Sequence, residues 1–169
     1  MHKTTVIENI HSRKSVRKYT EEKVSDEDLL ILVKAGMAAP TGKNRQPWHF
    51  ITVVSRETLD IMAEELPYAK MLHNVSAAIV VCGDVERSPY WFLDCSVASQ
   101  NILLAAEASG FGAVWTAAYP YEDRMGVVRK CLNLPDNIMP LNVIPVGYPA
   151  GAEKPKDKWD ETKLHKDKW

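Results

Sequence analysis

Ala39-Pro40-Thr41-Gly42-Lys43-Asn44-Arg45-Gln46-Pro47-Trp48-His49-Phe50 is the stretch on which the reading of this chain turns. A helical pattern starting at Ser25 leads into it. Residues 48–54 follow it, rich in the β-branched and aromatic types of a strand. The loop between them holds Pro40, Gly42 and Pro47. Pro47 biases Gln46 towards extended geometry, and Gly42 frees the backbone from Cβ crowding. Thr41, Lys43, Asn44, Arg45 and Gln46 make a dense set of donors at this helix-to-strand junction. Such a loop suits a flat ligand with a polar edge, and it equally suits a plain surface connection.

Outward from the loop, composition sets the bounds. The chain has 169 residues, 46% hydrophobic and 25% charged, enough for one domain with a sizeable core. A formal net charge of −1 gives no global field that would recruit nucleic acid or an acidic membrane. Cys82, Cys95 and Cys131 lie far apart without metal-like spacing, and the first two sit in apolar runs, as core thiols of a reducing compartment. Residues 1–5 lead into an amphipathic pattern and not into the apolar core of a signal peptide. No run approaches the ~18 apolar residues of a membrane span. These features describe a soluble, cytoplasmic protein.

In chain order, Val6, Ile7 and Ile10 predict a short first helix. If residues 13–17 are extended, Arg13, Ser15 and Arg17 share a face. Two guanidiniums flanking a hydroxyl can fork onto phosphate oxygens, and the same cluster could be a solvated basic turn. Ser25 with Asp28 resembles a capping box at the start of a helix running to about residue 38. Ser55 caps a further helix, stopped near Pro67. Residues 77–82 form a continuous apolar run, the pattern of a strand buried on both faces. Ser88-Pro89 opens the longest helix, ending at Gly110. That helix is apolar on so many sides that it is either central to the core or packed on a partner. Its Asp94 and Asn101 share a polar edge, facing solvent or bordering a cleft. Residues 111–117 read as a strand, 123–132 as a helix, and 141–147 as the last core strand, with Pro145 suggesting an edge or a bulge. From Gly151 the chain turns polar, yet Trp159, Leu164 and Trp169 offer apolar surface. This arm could reach roughly 60 Å at ~3.3 Å per residue.

Two motifs carry a resemblance. Ala39-Pro40-Thr41-x-x-Asn44-x-Gln46-Pro47-Trp48-x-Phe50 resembles the signature loop of the FMN-dependent nitroreductase family. Ser12-Arg13-Lys14-Ser15-Val16-Arg17-Lys18-Tyr19 resembles that family's phosphate-anchoring segment. Similarity continues through Asp94-Cys95-Ser96, Asn101 to Leu104, Gly112 to Thr116 and Pro145 to Tyr148, and so covers nearly the whole chain.

The resemblance implies an α+β fold, a small central mixed sheet wrapped by helices. Residues 1–150 would form the flavin-binding core, and residues 151–169 an arm that reaches the partner subunit of a homodimer. FMN would lie at the interface, and NADH or NADPH would deliver hydride to it for a small acceptor such as a nitroaromatic or quinone. Arg13, Lys14, Ser15 and Arg17 would hold the phosphate and ribityl chain, helped by Lys156 or Lys158. Asn44, with Pro40, Thr41 and Gln46 in the same loop, would address the flavin edge, and backbone near Ala117 and Ala118 the reactive ring nitrogen. No side chain is expected as a catalytic acid or base, because the cofactor carries the electron chemistry.

The chain departs from the family's pattern in two places. Ala118 stands where Gly is common, and Lys156 and Lys158 stand where Arg is common. The connection before the long helix also lacks the insertion that lids larger relatives. Other reactions on the same fold, reductive dehalogenation or flavin breakdown, and a non-enzymatic FMN carrier are the alternatives. No Gly-x-Gly-x-x-Gly, Walker loop, Gly-x-Ser-x-Gly or His-Glu-x-x-His occurs, and the five histidines are scattered.

Overall fold

The computed structural model describes residues 5–169. Among the described residues five α-helices, α1 (Val6–Ser12), α2 (Asp26–Met37), α3 (Arg56–Glu65), α4 (Trp91–Ala108) and α5 (Glu122–Leu132), surround five strands. The strands are β1 (Trp48–Val53), β2 (Ala77–Asp84), β3 (Gly112–Ala113), β4 (Thr116–Ala117) and β5 (Ile138–Gly147). Their order is β1-β2-β5-β3, with β4 also on β5, and each pairing is antiparallel. The parallel element of the expected mixed sheet is an isolated bridge between Ser15 and Ala113.

The continuous apolar run of β2 is explained by its neighbours. Ala78, Val80 and Cys82 face one core with Leu59, Met62 and Val128, while Ala77, Ile79 and Val81 face a second with Leu32, Cys95 and Ile102. Helices α3 and α5 thus cover one face of the sheet, and α2 and α4 the other. Alternate side chains of a strand point to opposite faces, so a strand covered on both sides has no polar position.

Pro145 lies on neither an edge strand nor a bulge. β5 is central, and Ile144 and Pro145 fall in the interval between the residues that pair β3 (Val146, Gly147) and those that pair β4 (Asn142, Val143). A proline's missing N–H is tolerable where the neighbouring ladder is interrupted. The bulge falls instead at Val81/Cys82, opposite Asn142 and Pro140. The single strand expected over residues 111–117 is accordingly two short ones.

Helix ends follow local chemistry. Thr5 and Glu8 cap α1 reciprocally, the Thr5 hydroxyl accepting the Glu8 N–H at 3.2 Å and the Glu8 carboxylate accepting the Thr5 N–H at 2.7 Å. Ser25 and Ser55 cap α2 and α3 as expected. The Ser88 hydroxyl accepts the Tyr90 N–H at 3.1 Å, so a turn precedes α4 and the helix begins at Trp91. Beyond its end, Gly110 adopts φ +82°, the left-handed stop that glycine permits.

Candidate functional site

Residues 13–17 run along the outer edge of β3. The Val16 N–H donates to Ala113 O at 3.0 Å, and Val16 is buried while Arg17 is exposed. The approach is close enough that a Cβ on Gly112 would stand 2.5 Å from Val16 Cγ1. Glycine at residue 112 is therefore what lets the basic segment lie against the sheet.

Arg13, Lys14, Ser15 and Arg17 line a cavity of about 960 Å³, together with Lys156 and Lys158 of the arm. Within it the cations are unequal. Lys14 donates to Glu107 near the end of α4 at 2.8 Å and ties the segment to that helix. Among the described residues Arg13, Arg17, Lys156 and Lys158 form no ion pair, although Glu153 and Asp157 line the same cavity. Unpaired guanidinium and ammonium groups around one hydroxyl are a donor set for a phosphate. The chemistry of the cavity therefore fits the phosphate end of FMN.

The signature loop is strained and overdetermined. Lys43 (φ 54°), Asn44 (φ 53°) and Gln46 (φ 46°) are left-handed. Gln46 is thus not extended as Pro47 suggested; its N–H is claimed by the Thr41 hydroxyl at 3.2 Å. For Lys43 and Gln46 this conformation costs about 1–2 kcal/mol each, while Asn tolerates it better. Further bonds hold the loop: Gly42 N–H to Asp94 Oδ1 at 3.0 Å, Gln46 Nε2 to Asn44 Oδ1 at 2.9 Å, Arg45 Nη1 to Arg87 O at 3.0 Å, and Arg87 Nε back to Arg45 O. Thr41 and Gln46 thus spend groups on the loop itself. Asn44 is exposed and keeps its amide N–H₂ unspent within the described chain, and Pro40 is exposed beside it. Strain held in place by surrounding bonds is a mark of functional loops.

Asp94 is the anchor that sequence reasoning left undefined. Only 6% exposed, it sits in the first turn of α4 with Oδ2 unpartnered. Asn101, its expected companion on a polar edge, donates to Ala35 O at 3.0 Å and ties α4 to α2. Neither residue faces open solvent. Both fasten elements to the central helix.

Ala117 and Ala118 divide. Ala118 is buried, and its N–H donates to Leu141 O at 3.0 Å, leaving the half-buried Ala117 as the reachable one. Ala117 lines a smaller cavity of about 180 Å³ together with Arg17. The phosphate segment and β4 are thereby brought together.

The signature loop is not brought to them. Pro40, Thr41, Asn44 and Gln46 line neither of these cavities. The loop is held by Asp94 and the basic segment by Glu107, thirteen residues apart on α4, which is about 20 Å at 1.5 Å per residue. They also flank opposite edges of the sheet, at β1 and β3.

Burial pushes the Cys82 and Cys95 thiols up to about 12, so neither forms a thiolate near neutral pH. His49 is an exposed strand residue. Among the described residues, no cluster of three His, Cys, Asp or Glu could hold a metal, and no helix is long and apolar enough to cross a membrane.

Comparisons with known proteins bear on this arrangement. A protein of Archaeoglobus fulgidus provisionally named an NADH dehydrogenase/NAD(P)H nitroreductase is 44% identical over 167 residues, 95% of this chain and 96% of its own. A crystal structure from Bacteroides thetaiotaomicron, of a protein with the same provisional name, superposes with TM-score 0.96 at 58% identity, covering 97% of this chain and 98% of that one. An FMN-dependent nitroreductase of Clostridium difficile superposes with TM-score 0.90 at 28% identity, covering 96% and 99%. A sequence profile described as the nitroreductase family matches residues 10–75 and 62–148. The chain belongs to the nitroreductase family.

Proposed function

We propose that this protein is an FMN-dependent oxidoreductase that passes electrons from NADH or NADPH to a small acceptor such as a nitroaromatic or quinone, working as a cytoplasmic homodimer. The observation that carries the reading is the set of unpaired cations, Arg13, Arg17, Lys156 and Lys158, around Ser15 in one cavity. In this reading Arg13, Ser15 and Arg17 hold the phosphate and ribityl chain. Lys14 positions the segment through Glu107, and the two arm lysines add charge without a planar fork. FMN held by these residues would supply two-electron redox chemistry between the nicotinamide and the acceptor. For a nitro acceptor, NAD(P)H, one proton and the nitro group give NAD(P)⁺, a nitroso group and water.

The separation along α4 supports the homodimer reading. The loop of one chain lines neither of its own cavities, and a second copy can present Pro40, Thr41, Asn44 and Gln46 to the flavin edge from outside. The surface agrees with this. α1 buries none of its residues, leaving Val6, Ile7 and Ile10 exposed, and α4 exposes Leu93 and Val97. Tyr90, Leu30, Ile31 and Met37 extend the apolar surface across the loop's neighbours. The arm, residues 151–169, has Trp159 72% exposed and Leu164 68% exposed, so it gains by lying on the partner.

The test is spectroscopic. Titrated with FMN, the purified protein should develop a perturbed flavin spectrum, and anaerobic NADH or NADPH should bleach it. A protein that leaves the FMN spectrum unchanged and shows no heat of FMN binding overturns the reading. Bleaching without reoxidation by a quinone would leave a flavin carrier.

A further inference from the structure

The smaller cavity holds a guanidinium to which the flavin reading assigns no role. Arg124 of the first turn of α5, which lines it with Arg17 and Ala117, lies between two tyrosines. Its guanidinium carbon is 3.8 Å from the Tyr121 ring centroid and 5.9 Å from that of Tyr68. These faces fix the guanidinium by cation–π attraction. Its Nε is buried without a hydrogen-bond partner. Among the described residues neither Arg124 nor Arg17 of the same cavity has a carboxylate within 4.0 Å, although Glu122 and Asp123 precede Arg124 in the chain. α5 also starts without a side-chain cap, so its first backbone N–H groups remain available. Tyr68 reaches this position on a left-handed backbone, φ 62°, which is an outlier for a bulky residue and places its ring over the cavity.

A preoriented fork with an unsatisfied buried donor is a receptor for a planar anion. The walls beside it, Tyr68, Trp115 and Met71, are flat or apolar. We propose that the part of the cavity around Arg124 is the acceptor subsite, and that it selects flat aromatic acceptors carrying a carboxylate. The carboxylate pairs with Arg124, the ring lies between Tyr68 and Trp115, and the reducible group points back towards Ala117. The inference rests on the flavin reading given above, and it adds the charge class of the acceptor to it. The other anion that could use the same fork is the extra phosphate of NADPH.

The test uses the FMN-loaded protein and the variants Arg124→Gln, which removes the charge, and Arg124→Lys, which keeps charge without a fork. Benzoate and its neutral isostere benzamide are titrated by calorimetry. Turnover is measured with para-nitrobenzoate and para-nitrobenzamide, and KM is compared for NADH and NADPH. In the wild type, the ratio of affinities for benzoate over benzamide and the ratio of kcat/KM for acid over amide should both exceed tenfold. Arg124→Gln should reduce each ratio by about 10- to 150-fold, the range of one charge-assisted contact, with Arg124→Lys in between. Equal binding of acid and amide by the wild type overturns the proposal, as do ratios that survive Arg124→Gln. A loss confined to NADPH assigns the fork to the nicotinamide phosphate and overturns it too. A protein that reduces both nitro compounds alike keeps the flavin reading and loses the subsite. One that never takes up FMN loses the flavin reading, and benzoate calorimetry on that sample still decides whether Arg124 binds carboxylates.

Discussion

Replacing Gly112 with Ala tests whether core packing of β3 positions the phosphate segment. The new Cβ would stand 2.5 Å from Val16 Cγ1 and 2.7 Å from Val16 Cβ, against ordinary carbon contacts of about 3.5–4.0 Å. The two elements must therefore separate by about 1 Å. Val16 cannot absorb this alone. It is 1% exposed, its β-branched side chain is stiff, and its N–H is tied to Ala113 O at 3.0 Å. The backbone carrying Ser15 and Arg17 must move with it. Overpacking of this kind costs about 1–3 kcal/mol, which lowers the melting temperature of a chain this size by roughly 2–12 °C. FMN affinity should fall at the same time, because the phosphate donors flank the displaced residue.

The decisive experiment is a double-mutant cycle with Val16→Ala, which removes the contacts to Cγ1 and Cγ2 and keeps the one to Cβ at 2.7 Å. Melting temperature and FMN dissociation constant are measured for all four proteins. Val16→Ala in the Gly112→Ala background should cost less than it does alone and recover part of the affinity, a coupling that independent sites do not show. Wild-type melting and FMN affinity in Gly112→Ala would refute the argument. Additive losses in the double variant would do the same, since they would place the defect outside this contact.

Three other outcomes follow from the site and the surface. Arg13→Ala should weaken FMN binding about 10- to 150-fold, the loss of one charge-assisted contact, with turnover largely recovered at saturating FMN; unaltered affinity in a flavin titration would make the segment a solvated turn. Ending the chain at Gly151 should weaken both the dimer and FMN binding, with added FMN partly restoring the dimer by linkage; sedimentation with and without FMN reads it, and an unchanged dimer makes the arm a mere tail. His73 bridges Asp60 at 2.9 Å and Glu64 at 2.7 Å, bonds that raise its pKa, while its own bonds and those of Arg56 and Lys70 hold the two carboxylates low. The histidine's contribution is therefore full below its unfolded pKa of about 6.5 and lost as pH rises through the folded value, and that of the carboxylates is lost as pH falls below their unfolded range near 4. Urea denaturation of wild type and His73→Gln should differ most near pH 5–6 and little at pH 9, and a difference as large at pH 9 would contradict this.

What could be read from residues alone divides by the range of the interaction that fixes it. Caps are local, so Ser25 and Ser55 announced α2 and α3, and the double burial of β2 was written in its unbroken apolar run. Pro145 misled because its tolerance depends on a gap between β3 and β4, which is a property of partners far along the chain. The two motifs stand out along the chain, but what each of their residues contacts is tertiary. Lys14 looks like Arg13 in sequence and is distinguished by Glu107, ninety-three residues away. Thr41 and Gln46 look like ligand donors and are partly occupied in holding the loop, whereas Asn44 keeps its amide free. Arg124 carried no signal at all, since nothing in an amphipathic helix pattern says that a guanidinium will settle between two tyrosines without a carboxylate. The separation of the two motifs was equally invisible, because order along the chain fixes neither which end of α4 each element meets nor how far apart those ends lie. It is that distance, about 20 Å along one helix, together with the exposed apolar side chains of α1 and α4, that turns two familiar motifs into support for the proposed second subunit.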